Sequence, residues 1–482
     1  MLKSKKILKI AAADQWGRLT PQQQSTSMGD SFLGNAFEPL VDLSTSGGIT
    51  TGLAESWTVN EDSTEFLFNL RDDAKFSDGT PVLAQDLVRS WLGSVTTSDI
   101  DSEKPNTLDV LYKIKGFTPT AAKEGKVSGI EVIDEHQLKV VFTHPFRTAL
   151  FEFSGTRYAA WKKAEDGRVI GSGPYQILEH DVGRSIRYVP NPFYRKNPRY
   201  HEVHVQGFDN PWIEGRQGDF EVIMGRSPGG PIPDGFSRLA GSITGHLNLF
   251  VSALDGQIFS DSKNRRALQA LFYAKCFPLL DASMGLLDGT DPQIYPPLWP
   301  GRLSDDEQNK LITAGQDDVP ALIKQSEKKP IRFKVSSAPR LRLLQCLKDN
   351  GLHLTSDSFE ILGSKEFFEY YYGQHSYDLF IGGASVLGND PDGIYHLLGQ
   401  NGALHTRQID RENVSALMES GRKLKRTADL DSHYKNVSRA LFTEVPLIHL
   451  GFYRSDIFYK SNQVSHVDGA NNSDRFSFDE FK

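Results

Sequence analysis

A strand–helix–strand pattern in the C-terminal half of the chain constrains the fold most strongly. Residues 331–335 alternate apolar side chains as a strand does, and the next stretch places Leu343 and Leu347 on one helical stripe. Gly351 can end that helix in the left-handed conformation, and a second strand begins at Leu352. A strand, a helix and a strand in so short a span predict a right-handed parallel crossover, and therefore an α/β sheet.

Length and composition exclude several classes of protein. With 482 residues, the chain is longer than one hydrophobic core usually serves, which predicts two or three domains. The 54 basic residues do not exceed the 61 acidic ones, so the clustered positive charge of a nucleic-acid-binding protein is missing. No apolar run approaches the roughly 20 residues that a membrane-spanning helix needs. The composition is that of an ordinary globular protein.

The two cysteines, Cys276 and Cys346, are too few for a disulfide framework. They can form a single bridge if the fold brings them together. The sequence alone favours the other alternative, two buried free thiols.

The first residues suggest an exported protein without its signal. Lys3, Lys5 and Lys6 resemble the basic start of a signal peptide, but Lys9 interrupts the apolar run that should follow. We interpret the sequence as a chain that begins at or just after the cleavage site. A cytoplasmic protein is the alternative.

The block from residue 54 to residue 91 predicts a strand, a tight turn and a helix. Apolar side chains alternate over residues 66–70, as in a half-buried strand. Asp78-Gly79 is a turn signal, Thr80 is a suitable N-cap, and Pro81 fits the first helical position because its missing N–H is not needed there.

Other local patterns extend this prediction. Residues 8–13 predict an opening strand, and residues 32–40 predict a short helix that ends at Pro39. Residues 130–133 and 138–142 predict a β-hairpin, because a short polar connection joins two alternating runs.

Six motifs occur in an order that is typical of one family. They are L-R-D-D-A-K-F-S-D-G-T-P-V-L-A-Q-D-L at 70–87, F-E-P-L at 37–40, G-S-G-P-Y at 171–175, N-P-F-Y at 191–194, F-S-D at 259–261 with R-R-A-L at 265–268, and Y-D-L at 377–379 before N-D-P at 389–391. Each motif is weak alone. Together they resemble the family 5 extracellular solute-binding proteins, the peptide, nickel and oligosaccharide receptors of ABC importers.

The resemblance implies a two-lobed α/β clamshell, the type II periplasmic-binding-protein fold with an extra inserted subdomain. Mapped onto this sequence, lobe I takes both chain ends and lobe II lies between them. The implied segments are 1–44 (lobe I), 45–166 (inserted subdomain), 167–250 (lobe I), 251–446 (lobe II) and 447–482 (lobe I return).

The implied function is capture of a polar solute between the lobes and its delivery to a membrane permease, without catalysis or a cofactor. The implied protein is a periplasmic or extracellular monomer, with or without a lipid anchor, and does not bind nucleic acid. Two alternatives remain. One is a receptor of the same fold that reports to a signalling partner, and the other is a glycoside hydrolase with paired carboxylates.

Family members contact their ligand in three regions, and aromatic side chains can add flat surfaces against which the ligand packs. Counting from the motifs assigns ligand-binding roles to Ser25, Thr26 and Ser27 before F-E-P-L, to Ser252 before F-S-D, to Gly383, Ala384, Ser385, Leu387, Asn389 and Asp390 around N-D-P, and to the aromatics Trp16, Phe32, Tyr371 and Tyr372. Core packing is the alternative for each aromatic residue.

The third region departs from the family pattern. In this region the sequences of peptide receptors resemble W-x-A-D-Y-x-D-P, and the first Asp of that motif binds the peptide ammonium group. In this chain Leu387 occupies the position of that Asp. An ammonium buried without a carboxylate costs several kcal/mol. The mapped pocket therefore favours a neutral polar solute, such as an oligosaccharide or a blocked peptide, unless Asp390 or Asp392 takes the missing role.

A metal site is not predicted. His201 and His204 are three residues apart, and on a strand such residues point to opposite faces. His204 instead shares a face with Glu202 and Gln206, as expected for the solvent-exposed face of a sheet.

Overall fold

The computed structural model describes most of the chain. The described residues are 6–13, 16, 20–21, 27–44, 48–96, 109–208, 211–225, 232, 234–239, 243–281, 290–335, 338–362, 376–385, 390–399, 412–424, 427–454, 456–466 and 476–482. The chain divides into two compact units. Unit 1 comprises Met1–Ser242 and Arg454–Lys482, and unit 2 comprises Ile243–Tyr453.

The strands within the described residues, in chain order, are β1 (Ile7–Ala13), β2 (Val41–Leu43), β3 (Ile49–Thr51), β4 (Ala54–Val59), β5 (Glu65–Leu70), β6 (Ile130–Asp134), β7 (Gln137–Val141), β8 (Lys162–Lys163), β9 (Val169–Ile170), β10 (Tyr175–Asp181), β11 (Ser185–Pro190), β12 (Glu202–Phe208), β13 (Val222–Gly225), β14 (Phe236–Leu239), β15 (Ile243–Val251), β16 (Phe333–Lys334), β17 (Leu379–Ser385), β18 (Leu447–Arg454) and β19 (Asp456–Lys460).

The α-helices within the described residues are α1 (Ser27–Leu33), α2 (Ala84–Thr96), α3 (Asp109–Lys113), α4 (Pro119–Lys123), α5 (Ala149–Phe153), α6 (Pro211–Gln217), α7 (Ser262–Leu271), α8 (Asp305–Thr313), α9 (Val319–Lys328), α10 (Leu341–Asp349), α11 (Tyr395–Leu398), α12 (Glu412–Arg422) and α13 (Thr427–Glu444).

Unit 1 contains a seven-stranded sheet that uses both ends of the chain. Its strand order is β10-β11-β12-β1-β13-β19-β14. The predicted opening strand is confirmed as β1, which lies inside the sheet and runs parallel to β12 and β13. Leu8 and Ile10 are fully buried on one face, with Ala11 on the other, which explains the apolar run in the sequence.

A second sheet of unit 1, in the order β4-β5-β7-β6, is antiparallel throughout. It confirms the strand predicted over residues 66–70 and the predicted β6–β7 hairpin. This sheet packs on α2 and encloses its own hydrophobic core, whose buried residues lie between Leu40 and Ala160.

The predicted start of the helix in this segment was wrong. Helix α2 begins at Ala84, not after Thr80. The backbone N–H of Val82 donates to the carbonyl of Ala74, so the chain is still paired in extended form at the position where a helix was expected. Asp86 accepts a hydrogen bond from the N–H of Leu83 at 2.9 Å and stabilises the true helix start.

The helix predicted over residues 32–40 was also misplaced, because α1 ends at Leu33. The carbonyls of Asn35 and Ala36 accept hydrogen bonds from Tyr175 and Gly173 rather than from a following helical turn. The Asn35 side chain also donates to the carbonyl of Phe476 at 2.8 Å. Long-range contacts therefore fix this segment as a loop.

Unit 2 contains a four-stranded sheet in the order β16-β17-β15-β18. Strand β16 is parallel to β17, and β15 is antiparallel to β17. The second strand predicted at Leu352 is wrong as a strand, because the chain forms only a single parallel bridge there, between Leu354 and Ile331. The predicted helix is α10, with Leu343 and Leu347 fully buried, and Gly351 follows it with φ of 94°.

A disulfide joins Cys276 to Cys346 in unit 2, across 70 residues of sequence. The expectation of two free thiols was wrong. Cys276 ends a π-helical turn, Phe272–Cys276, that follows α7, and Cys346 lies on the buried face of α10. Both helices pack into the same core, which brings the two thiols together.

Three of the motifs typical of the family meet in unit 1. The backbone N–H of Gly173, in G-S-G-P-Y, donates to the carbonyl of Ala36, next to F-E-P-L. The Asn191 side chain, in N-P-F-Y, donates to the carbonyl of Gly173 at 2.9 Å. Arg195, directly after N-P-F-Y, forms a two-pronged ion pair with Glu38 of F-E-P-L. The contacts between these three motifs stabilise unit 1.

We expect Gly171→Ala to lower the free energy of unfolding of unit 1 by about 1–3 kcal/mol, because overpacking forces the backbone to shift. A Cβ on Gly171 would lie 2.2 Å from the carbonyl oxygen of Ala36. Urea unfolding followed by circular dichroism measures the change. The control is Gly93→Ala in α2, where a Cβ meets nothing within 4 Å and should stabilise the helix by up to about 1 kcal/mol. Equal stability of the two variants would contradict the packing argument.

Candidate functional site

Part of the predicted ligand site lies outside the described residues. This applies to Ser25, Thr26, Tyr371, Tyr372, Leu387 and Asn389. Ser27 begins α1, and Ala384 and Ser385 end β17, but only their backbones are described. The structure describes the remaining predicted residues more fully.

Trp16 and Phe32 belong to the hydrophobic core of unit 1. Their rings meet edge to face, with centroids 5.5 Å apart, and both side chains are buried. Gly207 makes room for the indole, because a Cβ there would lie 2.7 Å from the Trp16 ring. Core packing accounts for both aromatics, although the indole N–H of Trp16 is buried without an acceptor among the described residues.

Ser252 does not present a free hydroxyl. It is buried immediately after β15, and its Oγ donates to Oε1 of Gln257 at 2.7 Å. The same oxygen accepts the backbone N–H of Leu254 at 3.1 Å, and the Gln257 amide donates to the carbonyl of Tyr377 at 3.1 Å. Ser252 therefore stabilises the turn between β15 and the next helical segment.

Gly383 lies on β17, opposite Leu247 of β15 in the sheet register. A Cβ on Gly383 would come within 3.2 Å of the Tyr453 hydroxyl. Glycine at this position therefore leaves room for that tyrosine, which is the last residue of unit 2.

Two buried polar residues on β15 were missed by the sequence analysis. His246 is paired in register with Ala384 and Asn248 with Gly382, so both lie beside the mapped ligand segment. Both are fully buried, and Nδ2 of Asn248 lies 3.3 Å from Nδ1 of His246. The sequence did contain a signal for them, because His246 and Asn248 are polar residues that alternate with the leucines of an apolar strand.

The N-D-P turn is held by its two acidic side chains. Asp390 accepts the backbone N–H of Asp392 at 2.9 Å and caps a short 3-10 helix, Pro391–Ile394. Both carboxylate oxygens of Asp392 accept from Nε of Arg422, at 3.2 and 3.0 Å. The side chains of Asp392 and Arg422 are 1% and 2% exposed, so this ion pair is shielded from water.

Arg422 ties this turn to helix α12. Its guanidinium carbon lies 3.1 Å from the ring centroid of Tyr395, and the Tyr395 hydroxyl donates to Glu419. The Asp392 carboxylate is therefore engaged by a buried partner. It is not in a position to bind a peptide ammonium or to act in the paired carboxylates of a hydrolase.

Of the two histidines at 201 and 204, only His204 lies on β12, because the strand begins at Glu202. His204 lies 2.8 Å from Glu202, two residues away on the same face. Hydrogen bonds from Arg187 and His204 lower the pKa of Glu202 to about 2. Within the described ranges, no group of three or more His, Cys, Asp or Glu side chains is arranged to hold a metal ion.

A surface groove of about 660 Å3 lies on the β4-β5-β7-β6 sheet and contains none of the predicted ligand residues. Its walls include hydrogen-bonded polar side chains, Ser56 with Asn69 and Asn69 with Gln137.

Among the described helices, none combines the length and apolar character that a bilayer crossing requires.

Sequence comparison points to the same family as the motifs. Residues 48–272 match the family model described as "Bacterial extracellular solute-binding proteins, family 5 Middle". This match spans slightly less than half of the chain and confirms the resemblance inferred from the six motifs.

Curated relatives match part of the chain. The periplasmic murein peptide-binding protein MppA of Escherichia coli is 32% identical over 177 residues, which cover 34% of this chain and 32% of that protein. The periplasmic oligopeptide-binding protein OppA of the same species is 30% identical over 176 residues, with the same coverage. The chain thus aligns with about a third of the length of these curated relatives.

Solved structures match the chain from end to end. The structure of the murein tripeptide binding protein MppA of Escherichia coli has a TM-score of 0.82 at 19% identity and covers 100% of this chain and 99% of that one. Haemophilus influenzae OppA in complex with RPPGFSPFR gives 0.78 at 16% identity, covering 100% and 99%. The fold is therefore the two-lobed α/β fold of the family 5 periplasmic binding proteins, as predicted.

Proposed function

We propose that this protein is the solute-binding component of an ABC importer, which captures a peptide-like ligand and delivers it to a membrane permease. The observation that carries the proposal is the end-to-end match to peptide-binding proteins of the same family, together with the family model match. The related proteins are described as binding proteins, and reversible binding needs no covalent chemistry. We infer that this chain is likewise a binding protein and not an enzyme.

We place the protein in the periplasm. The curated relatives MppA and OppA are both described as periplasmic. The disulfide between Cys276 and Cys346 supports this location, because such bonds persist in oxidising compartments and are rare in the cytosol.

The ligand class follows from the charges near the N-D-P turn. In the motif that peptide receptors resemble, an ammonium-binding Asp occupies the position of Leu387. The Asp392 carboxylate, in turn, is already bound by Arg422. A free peptide ammonium would lose its hydration there without a carboxylate in return, which is costly. We therefore propose a peptide-like solute whose binding does not depend on a free N-terminus.

We expect an N-acetylated tripeptide to bind at least as tightly as the same tripeptide with a free N-terminus. At a hundredfold excess over Kd, the ligand should raise the free energy of unfolding by about 2.7 kcal/mol. Native mass spectrometry and thermal unfolding with matched pairs of tripeptides and with a neutral oligosaccharide measure both quantities.

The matched variant for this experiment is Asp390→Asn, which removes the charge while an amide oxygen can still cap the short helix. We expect it to leave binding of the free tripeptide unchanged. A large loss in Asp390→Asn would assign the ammonium to Asp390 and contradict the ligand class. If no peptide, blocked peptide or oligosaccharide binds, the proposed function itself is wrong.

A further inference from the structure

A buried histidine in unit 2 has a ring nitrogen without a hydrogen-bond partner. Nδ1 of His449 lies 2.6 Å from the backbone carbonyl oxygen of Asp291, which can only accept, so Nδ1 carries the proton. In the neutral ring Nε2 is then an acceptor, and no donor in the described part of the protein reaches it. The residue is 2% exposed, so bulk water does not supply that donor.

A small cavity lies beside this ring. Its walls come from α7, the turn after it, α13 and β18, and they include Gln269, Tyr273 and Ser438 as well as His449. The walls leave about 10 Å3 for the centre of a water molecule. That is roughly the space that one ordered water needs, and it is too small for a larger solute.

The backbone next to the cavity is irregular. Tyr273 belongs to the π-helical turn Phe272–Cys276, and such turns are frequent at functional sites. The Tyr273 hydroxyl lies 2.9 Å from the carbonyl oxygen of His449 and 3.3 Å from that of Pro292. The turn thereby fixes the edge strand β18 directly at the cavity.

We propose that this cavity binds one water molecule that donates a hydrogen bond to Nε2 of His449, and that acidification opens strand β18 at this site. Buried acceptors almost always have a donor, and a water is the donor of the right size. Strand β18 also contains the junction between Tyr453 and Arg454, where the chain passes from unit 2 to unit 1. The inference does not depend on the identity of the ligand.

The groups around the ring explain the acid response. The described titratable and charged groups that face His449 are Asp291, Arg302, Tyr273 and, with a ring centroid 5.6 Å away, His246. Asp291 is the acid among them, and its carboxylate is already paired with Arg302 at 2.8 Å. A positive charge on His449 would therefore be buried without a free counter-ion.

The sign of the pH dependence follows from the pKa of His449. Burial lowers it from 6.5 to about 4, against the opposing effect of Asp291. The opened strand, with a normal histidine, takes up a proton first as the pH falls. The stabilising effect of the neutral ring is complete above pH 6.5 and is lost as the pH falls toward 4. We expect the opening equilibrium of β18 to increase roughly fiftyfold between pH 7 and pH 4.5.

Two measurements on the full chain test the proposal. A crystal structure at neutral pH should show a water within about 2.7–3.2 Å of Nε2 of His449. An empty cavity, or a protein donor at this nitrogen, would overturn the water site whether or not any variant folds.

Hydrogen exchange tests the acid response. Amides of residues 447–454, corrected for intrinsic exchange, should lose protection between pH 7 and pH 4.5 in the wild type and much less in His449→Asn. Asparagine can still donate to the Asp291 carbonyl but cannot titrate. The control is His136→Asn, in the β6–β7 turn of unit 1, which should respond like the wild type. Equal acid responses in wild type and His449→Asn would overturn the proposal.

Discussion

Replacing both cysteines, by Cys276→Ser with Cys346→Ser, should lower the free energy of unfolding of unit 2 by about 4 kcal/mol. The disulfide closes a loop with a sequence separation of 70 residues, and cross-linking a loop of this size removes a large part of the conformational freedom of the unfolded chain. Both sulfurs are buried in the core between α7 and α10, so the bond is also protected in the folded state. Denaturant unfolding under oxidising conditions measures the loss.

Reduction provides the matched control for this prediction. Wild-type protein unfolded and refolded with dithiothreitol should reach the stability of the double serine variant, whereas the variant itself should not respond to the reductant. A wild type that is equally stable with and without the reductant would show that the bridge contributes nothing to unit 2.

The second large effect is expected at the buried ion pair of the N-D-P turn. Arg422→Met should lower the free energy of unfolding by about 3–5 kcal/mol, because it leaves the Asp392 carboxylate buried without a counter-ion. The loss should be partly reversed by adding Asp392→Asn, since the double variant no longer buries an unpaired charge. Denaturant unfolding of the two single variants and the double variant measures the coupling.

An exposed ion pair of the same unit serves as the control. Lys435 and Asp431 lie one helical turn apart on α13, 2.7 Å from each other, with side chains 35% and 53% exposed. Lys435→Met should change the stability by less than about 1 kcal/mol, because water screens this pair. Equal effects of Arg422→Met and Lys435→Met would mean that the buried pair is as weak as a surface pair.

Elements set by local patterns could be predicted from the sequence. Alternating apolar residues located β1, β5 and the β6–β7 hairpin, because each of these strands turns apolar side chains toward the core, buried in β1, β5 and β7 and partly buried in β6. Gly351 was found as a helix stop because its left-handed conformation is a property of the residue itself. The order of the motifs indicated the family for a similar reason: several of those motifs form turns and caps of unit 1, which are local features of the sequence.

Features that depend on distant partners could not be predicted. The start of α2 moved to Ala84 because Val82 pairs with Ala74, and α1 ended early because the loop after it bonds to residues 173–175. The Cys276–Cys346 bridge and the Asp392–Arg422 pair join residues far apart in sequence, and no local pattern reports such a distance. Of the candidate ligand residues, Trp16 and Ser252 have packing or hydrogen-bonding roles that only coordinates reveal.

The position of β19 sets an order of events during synthesis. This strand, residues Asp456–Lys460, is hydrogen-bonded between β13 and β14, so a growing polypeptide that has not yet reached it leaves both of those strands with an open edge. Ile243–Tyr453 emerges from the ribosome as one uninterrupted stretch, before the piece that completes the larger sheet. Premature termination shortly before residue 456 would therefore spare the central unit and leave the first one incomplete and prone to aggregate.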